Sequence, residues 1–273
     1  MSEGNNEIRK IIDYMKAHWP SKVKPEWQVN LNEYPEILKK VLEDITPAAT
    51  KNRNLIRIAG ISGSGKTTQI LPAVEAYSRE NNFEPILMAA RKFVEYHPHF
   101  QEIKEYYGEE NLRRNTDEFC TIMLFLSLSA LIKNGYDVVL DVTLLDPEME
   151  NILLKMLQEG EYRTLFLMIA VSPTVTEKYL SGRAWRHSKE TEQEFIRATS
   201  KALNFYAQNA PDYRVIIWSV YDKSPVYDGP IKNCLDIFND YSNRSQLPKN
   251  DDDARRDAKI EYLKNLNKKD SIN

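Results

Sequence analysis

The sequence predicts an α/β protein with one mostly parallel sheet covered by helices on both faces. Short, continuously apolar runs recur along the chain, among them Ile86-Leu87-Met88, Val138-Val139-Leu140 and Leu165-Phe166-Leu167-Met168-Ile169, as expected for strands buried on both faces. Stretches with helical spacing separate them, each long enough for the crossover that joins parallel neighbours. A chain of 273 residues, 42% hydrophobic and 28% charged, can close one sizeable core of this kind and carry a small appendage.

From Asn6 to Trp19 the apolar residues Ile8, Ile11, Ile12, Met15 and Trp19 recur at helical spacing, and Pro20 follows. Tyr34, Ile37, Leu38, Val41, Leu42 and Ile45 mark a second helix that ends before Pro47. Residues 1–50 therefore read as a helical N-terminal extension. Leu55-Ile56-Arg57-Ile58-Ala59 is a short β-rich run; a Gly-rich turn follows at once, then a helical pattern from Lys66 to Asn81 that Pro72 should bend. Further strands are expected at Pro85–Ala89, Asp137–Val142, Arg163–Val171 and Arg214–Trp218, so residues 51–240 form the main domain. Residues 241–273 are a polar tail, in which Asp251-Asp252-Asp253 can cap a final charged helix through Lys264, expected to be solvated. No internal repeat is visible.

The formal net charge of -3 provides no global positive field for a polyanionic backbone, which disfavours a general nucleic-acid or membrane-surface role. Cys120 and Cys234 lie in apolar surroundings, match no paired metal-ligand spacing and are expected as reduced, buried thiols. The opening residues MSEGNNEIRK lack a basic-then-apolar leader, and no apolar run is long enough to span a bilayer, so the expected location is the cytoplasm.

Gly60-Ile61-Ser62-Gly63-Ser64-Gly65-Lys66-Thr67 satisfies the pattern G-x-x-x-x-G-K-[ST] between a buried strand and a helix, the context its chemistry requires; the alternative is an ordinary Gly-rich turn. Glycines let the backbone curl so that successive N–H groups face phosphate oxygens, and the helix N-terminus adds partial positive charge. The predicted fold is thus a three-layer P-loop NTPase. Its nucleotide-binding candidates are Gly60, Ser62, Gly63, Ser64, Gly65, Lys66, Thr67 and Thr68, for ATP or GTP. Lys66 would bridge the β- and γ-phosphates, and the Thr67 hydroxyl would coordinate Mg2+. Asp141, at the end of the third strand, is a second candidate for holding magnesium, through water; the alternative is a solvated strand-end carboxylate. Thr143 would point to the same sheet edge, where open α/β folds bind ligands, or serve as a helix cap.

These residues carry a resemblance. From about Leu55 to about Phe238 the chain resembles the zeta toxin family, the kinase partners of epsilon antitoxins. The match consists of GISGSGKTT at 60–68, the F-x-x-x-H-P-x-F pattern of Phe93, His97, Pro98 and Phe100, NGYDVVLDVT at 134–143, and the arginines of SGRAWR and IRATSKA. The resemblance implies a P-loop kinase that phosphorylates a hydroxyl on the amino sugar of UDP-N-acetylglucosamine, starving cell-wall synthesis. It implies Lys66 as the phosphate lysine, Thr143 as a substrate contact, and Arg183 and Arg197 as the arginines that steady the transferring phosphoryl group. A planar guanidinium suits that task, because it can grip phosphoryl oxygens in pairs. Both arginines belong to a basic cluster with Arg186, His187, Lys189 and Lys201, for which a solvated helix surface is the alternative. His97, in the family pattern, shapes the substrate loop; general-base work is the lesser alternative.

The pattern breaks on the acceptor side. The family aspartate that takes the proton from the sugar hydroxyl falls on Arg91, and an arginine cannot act as a base at neutral pH. A second family acid falls on Phe125. Phosphoryl transfer demands mainly positioning and charge neutralisation, so the loss of these acids is compatible with activity. Three readings stay open. Glu95 or Asp141 serves as base for a sugar nucleotide. Alternatively, Arg91 and Phe125 mark a changed acceptor pocket, the cation pairing with an anionic substrate and the ring stacking on a base, for a nucleotide, NAD or a 5′-hydroxyl nucleic acid. In the third reading the protein binds nucleotide without catalysis and acts through protein contacts. The expected partners are a small-molecule acceptor and either a separate antitoxin or the protein's own N-terminal helices docked over the nucleotide site. A core-packing extension is the plainer reading of those helices.

Overall fold

The computed structural model describes residues 3–18, 21–143, 147–180, 189–222, 224–244 and 252–266. Its strands are β1 (Asn54–Ala59), β2 (Ile86–Met88), β3 (Val138–Asp141), β4 (Arg163–Ala170), β5 (Arg214–Ser219) and β6 (Pro225–Pro230). Among the described residues they form one six-stranded sheet in the order β2-β3-β1-β4-β5-β6. The first five are parallel, and β6 is antiparallel to β5. Sequence reading did not anticipate β6, because Pro225, Gly229 and Pro230 give it the composition of a turn. An edge strand tolerates prolines, since one row of its backbone donors has no ladder partner to lose.

The helices are α1 (Glu3–His18), α2 (Tyr34–Ile45), α3 (Leu71–Glu80), α4 (Phe100–Tyr107), α5 (Glu109–Asn115), α6 (Asp117–Lys133), α7 (Pro147–Glu159), α8 (Pro173–Leu180), α9 (Lys189–Asn209), α10 (Leu235–Ser242) and α11 (Asp252–Lys264). They build the expected three layers. On one face of the sheet, Leu55, Met88, Val138 and Leu140 pack with α1, α2, α6 and α7, while Ala59, Phe166, Met168 and Val215 pack with α9 and α10. On the other, Ile56, Ile58, Val139, Leu167 and Trp218 pack with α3 and the end of α11. Alternate residues of β1 thus enter opposite layers, as the period of a strand requires.

The α6 helix is buried along nearly its whole length, from Glu118 to Ile132, because α1 and α2 lie against it in addition to the sheet. A helix apolar all round needs cover on more than one side. Ile11, Ile12 and Met15 of α1 and Tyr34 and Val41 of α2 supply that cover, each buried in the same cluster as α6. Helices α1 and α2 therefore share the main core. No single described helix is long and apolar enough to cross a membrane; α5 and α6 pass such a test only as a pair bent by 59°. Cys120 and Cys234 are free and buried as expected, and burial pushes their thiols up to about 11 and about 12.

Two local expectations are corrected. Instead of one helix bent at Pro72, Lys66–Ile70 forms a wide π-type turn in which the Leu71 N–H reaches the Lys66 carbonyl, and α3 starts after it. Pro72 then stands in the first turn of α3, where its missing donor costs nothing. The charged tail helix is not simply solvated either: α11 docks along α3. Arg255, Lys259, Leu263 and Leu266 share one stripe and are all buried, Arg255 at 3% and Lys259 at 0% exposure. Two basic residues in the stripe hid it from a polarity reading, since their aliphatic stems can cover apolar surface.

At the amino end of the sheet, buried Asp137 accepts from the Thr50 hydroxyl (2.5 Å), from the backbone N–H groups of Asn52 (3.1 Å) and Asn54 (2.8 Å), and from both of their side-chain amides (2.9 Å each). This carboxylate fastens the segment leading into β1 to the start of β3. The carboxyl ends of the same strands are left to carry the site.

Candidate functional site

The strand order reverses direction around β1, with β3 on one side and β4 on the other, and ligands of open α/β sheets bind where that happens. The Gly-rich loop leaves β1 at this point. Gly60 has φ +152°, and a Cβ there would lie 2.7 Å from Ser64 Oγ and 3.2 Å from the Ile169 carbonyl oxygen on β4, so the loop fits only against a bare backbone. Gly65 enters the wide turn at φ +98°. Lys66, half-buried, donates from Nζ to the carbonyls of Gly60 (2.6 Å) and Ile61 (3.1 Å), curling over its own loop. Ser64 is buried inside the loop, Ser62 and Gly63 are half-buried, and the Thr67 and Thr68 side chains are exposed at the start of the helix.

An unanticipated group meets this loop. The Ser62 N–H donates to Oε2 of Glu192 at 3.2 Å. Glu192 stands in the first turn of α9 and is 2% exposed, and its Oε1 is buried without a hydrogen-bond partner among the described residues. Burial raises its pKa, against the lowering effects of the Ser62 amide and the Lys66 ammonium. Nothing in the sequence marks it, because an acid in the first turn of a helix is an ordinary helix-dipole residue. Arg197 lies further along α9 with its side chain exposed. Arg183, with Arg186 and His187, lies outside the described residues.

Asp141 is the last residue of β3 and pairs in register with Ile58, two residues before Gly60. Arg91 Nη1 lies 3.2 Å from its Oδ2, an ion-pair contact, and both carboxylate oxygens are buried without a hydrogen-bond donor among the described residues. The arginine on the family's acid position therefore faces a protein carboxylate. Arg91 belongs to the 3-10 stretch Ala90–Tyr96 after β2, and it also lines a cavity of about 680 Å3. Lys40, Lys92, Lys104, Glu95 and Tyr96 share that cavity. The Lys92 pKa is lowered by burial and by the neighbouring Arg91. Tyr96 donates its hydroxyl to Asp44 Oδ2 of α2 at 2.9 Å, so α2 builds one wall of the cavity. Thr143 is half-buried two residues beyond Asp141.

Phe125 is buried in the α6 cluster between Leu124 and Leu126, also buried, so the expectation of a ring stacked on a ligand is corrected to a core-packing role. The helix turns that position into a core filled by α1 and α2. His97 is buried, its Nδ1 accepts the His99 N–H at 3.1 Å, and its ring meets Phe119 edge to face with centroids 4.6 Å apart. Burial and His99 lower its pKa to about 4, against weaker raising effects of Glu33 and Glu102. It is a neutral imidazole that shapes its turn. Its folded pKa lies below the unfolded value of about 6.5, so its contribution to stability is complete above pH ~6.5 and declines as the pH falls toward 4. The expected loss is roughly 2–3 kcal/mol over that window. Urea midpoints measured from pH 7 to 4 should show this slope, and His97→Gln should flatten it; equal slopes would contradict a buried neutral ring.

The family model described as Zeta toxin matches residues 39–230. The chain belongs to the zeta toxin family. Members of this family are P-loop phosphotransferases, and this zeta toxin chain is accordingly a kinase that uses a nucleoside triphosphate. Among solved structures it is similar to one from the PezAT chromosomal toxin-antitoxin system of the human pathogen Streptococcus pneumoniae, at 19% identity and TM-score 0.64, covering 87% of this chain and 98% of that one. That likeness shows the fold. A protein from Chloroflexus aurantiacus j-10-fl matches at 14% identity and TM-score 0.36 over 49% of this chain and 68% of that one. No curated protein matches the chain.

Proposed function

We propose that this zeta toxin kinase moves the γ-phosphate of ATP or GTP to a hydroxyl of a small anionic acceptor, first among them a nucleotide sugar such as UDP-N-acetylglucosamine. Arg91 carries the reading: one side chain lines the cavity and touches Asp141, whose register places it beside the strand that feeds the phosphate loop. An acceptor seated in the cavity has Arg91 and Lys92 for its diphosphate, and its hydroxyl end lies toward Asp141. Thr143 supports the same end.

In this reading the amides of the loop from Gly60 to Thr68 hold the β- and γ-phosphates, and the Lys66 ammonium exchanges the Gly60 and Ile61 carbonyls for phosphate oxygens. The Thr67 hydroxyl and, through water, the buried Asp141 carboxylate would hold a magnesium ion, which would supply charge neutralisation at the phosphates. When Arg91 turns to the acceptor, Asp141 is released to receive the hydroxyl proton, directly or through water. Glu95, on the cavity wall, is the second candidate for that proton. Arg183 and Arg197 steady the phosphoryl group in transfer. The likeness to a PezAT structure adds an antitoxin protein as the partner class.

Incubation with ATP labelled in its γ-phosphate and a panel of UDP-sugars, nucleosides, NAD and 5′-hydroxyl oligonucleotides tests the acceptor. Label should appear on UDP-N-acetylglucosamine, and Arg91→Ala should raise the acceptor KM by about tenfold or more, the loss of a charged hydrogen bond. Label confined to another class moves the acceptor there. Label on none, with nucleotide still bound, sinks the acceptor reading.

A further inference from the structure

We infer that Glu192 is an internal occupant of the phosphate cradle, and that a bound triphosphate and the Glu192–Ser62 contact exclude each other. The inference rests on the reading of the loop as the nucleotide site. A backbone N–H makes one strong hydrogen bond, and the Ser62 N–H gives its bond to Glu192 Oε2 at 3.2 Å. That oxygen therefore sits where the cradle would hold a phosphate oxygen, and it carries the same sign of charge. Lys66, the cation that must face the triphosphate, also acts electrostatically on Glu192.

The carboxylate is poorly settled where it lies. It is 2% exposed, only one of its oxygens has a hydrogen-bond partner among the described residues, and burial disfavours its charge. A triphosphate that takes over the Ser62 amide brings more charge and more acceptor oxygens to the same cradle. Leaving Glu192 in place beside it would set two anions together in a site with little solvent, so Glu192 must swing away. Its departure frees the first turn of α9. Arg197 lies five residues on, about 7.5 Å along the same helix axis, so one element carries both the displaced acid and a phosphoryl-gripping candidate. Glu192 thereby lowers the affinity of the loop for nucleotide and couples occupancy of the loop to the start of α9.

Calorimetric titration of the full chain with Mg·ATP and Mg·GTP, on wild type, Glu192→Gln and Glu192→Ala, decides the matter. Both substitutions should tighten binding of the triphosphate that the wild type binds by about tenfold or more, corresponding to removal of one charge-assisted competitor. Unchanged or weaker binding in Glu192→Gln and Glu192→Ala, with wild type binding normally, overturns the inference and leaves the P-loop assignment standing. Silence of all three proteins toward both triphosphates overturns the P-loop assignment, and the inference with it.

Discussion

Lys66→Ala should weaken triphosphate binding by about a hundredfold or more and remove phosphoryl transfer with it. The ammonium lies within its own loop, 2.6 Å from the Gly60 carbonyl and 3.1 Å from that of Ile61, so its reach coincides with the loop that would cradle the phosphates. Each charge-assisted hydrogen bond in such a site contributes about 1.5–3 kcal/mol, and a lysine bridging two phosphates makes at least two. Lys66→Arg should not rescue binding, because the planar guanidinium does not fit a position shaped for a point charge between the Gly60 and Ile61 carbonyls. The fold should persist, since Lys66 is a half-buried loop residue and not part of an apolar cluster. Calorimetry with Mg·ATP and Mg·GTP, alongside thermal unfolding, separates the two effects. Equal affinity in wild type and Lys66→Ala would end the assignment of this loop.

The second large effect is on stability. Arg57, in the middle of β1, is fully buried and grips Glu150 of α7 with two parallel bonds, Nη1 to Oε2 at 2.5 Å and Nη2 to Oε1 at 2.8 Å. Tyr206 of α9 donates its hydroxyl to the same Oε2 at 2.7 Å. The three side chains join the strand that feeds the phosphate loop, the helix that follows the Asp141 strand, and the helix that carries Glu192 and Arg197. Glu150→Ala leaves an uncompensated guanidinium between two apolar clusters and should cost about 3–5 kcal/mol, a large part of the stability of an ordinary domain. The double change Arg57→Met with Glu150→Leu should recover most of that loss, because it removes both desolvation penalties along with the attraction. Urea unfolding measures both. A cost below about 1 kcal/mol for Glu150→Ala would mean that the pair is reached by water and does not bind the three elements together.

Much of this architecture was readable because it is local. The P-loop spacing, the continuously apolar strands, the second helix from Tyr34 to Ile45 and the buried thiols each rest on residues close together in the chain. The resemblance carried by GISGSGKTT and the neighbouring motifs agrees with the family match over residues 39–230. What stayed hidden depends on distance in sequence. Ser62 and Glu192 are 130 residues apart, and the chain offers no pattern that pairs an amide with an acid across such a gap. Arg91 reads in the sequence as a cation facing a substrate, and only β2 and β3, laid side by side, set it against Asp141 as well. Phe125 looked like a ligand platform until α1 and α2 closed over its helix.

The sequence alone determined the Gly-rich strand-to-helix corner and which residues form it, because the strand, the glycines, the lysine and the helix start are contiguous and each acts through its own backbone geometry. Only the tertiary structure decided what faces that corner. It brought Glu192 onto the Ser62 amide, Arg91 onto Asp141 and α11 onto α3, since long-range placement follows from how apolar faces and buried charges find partners once the whole chain is packed.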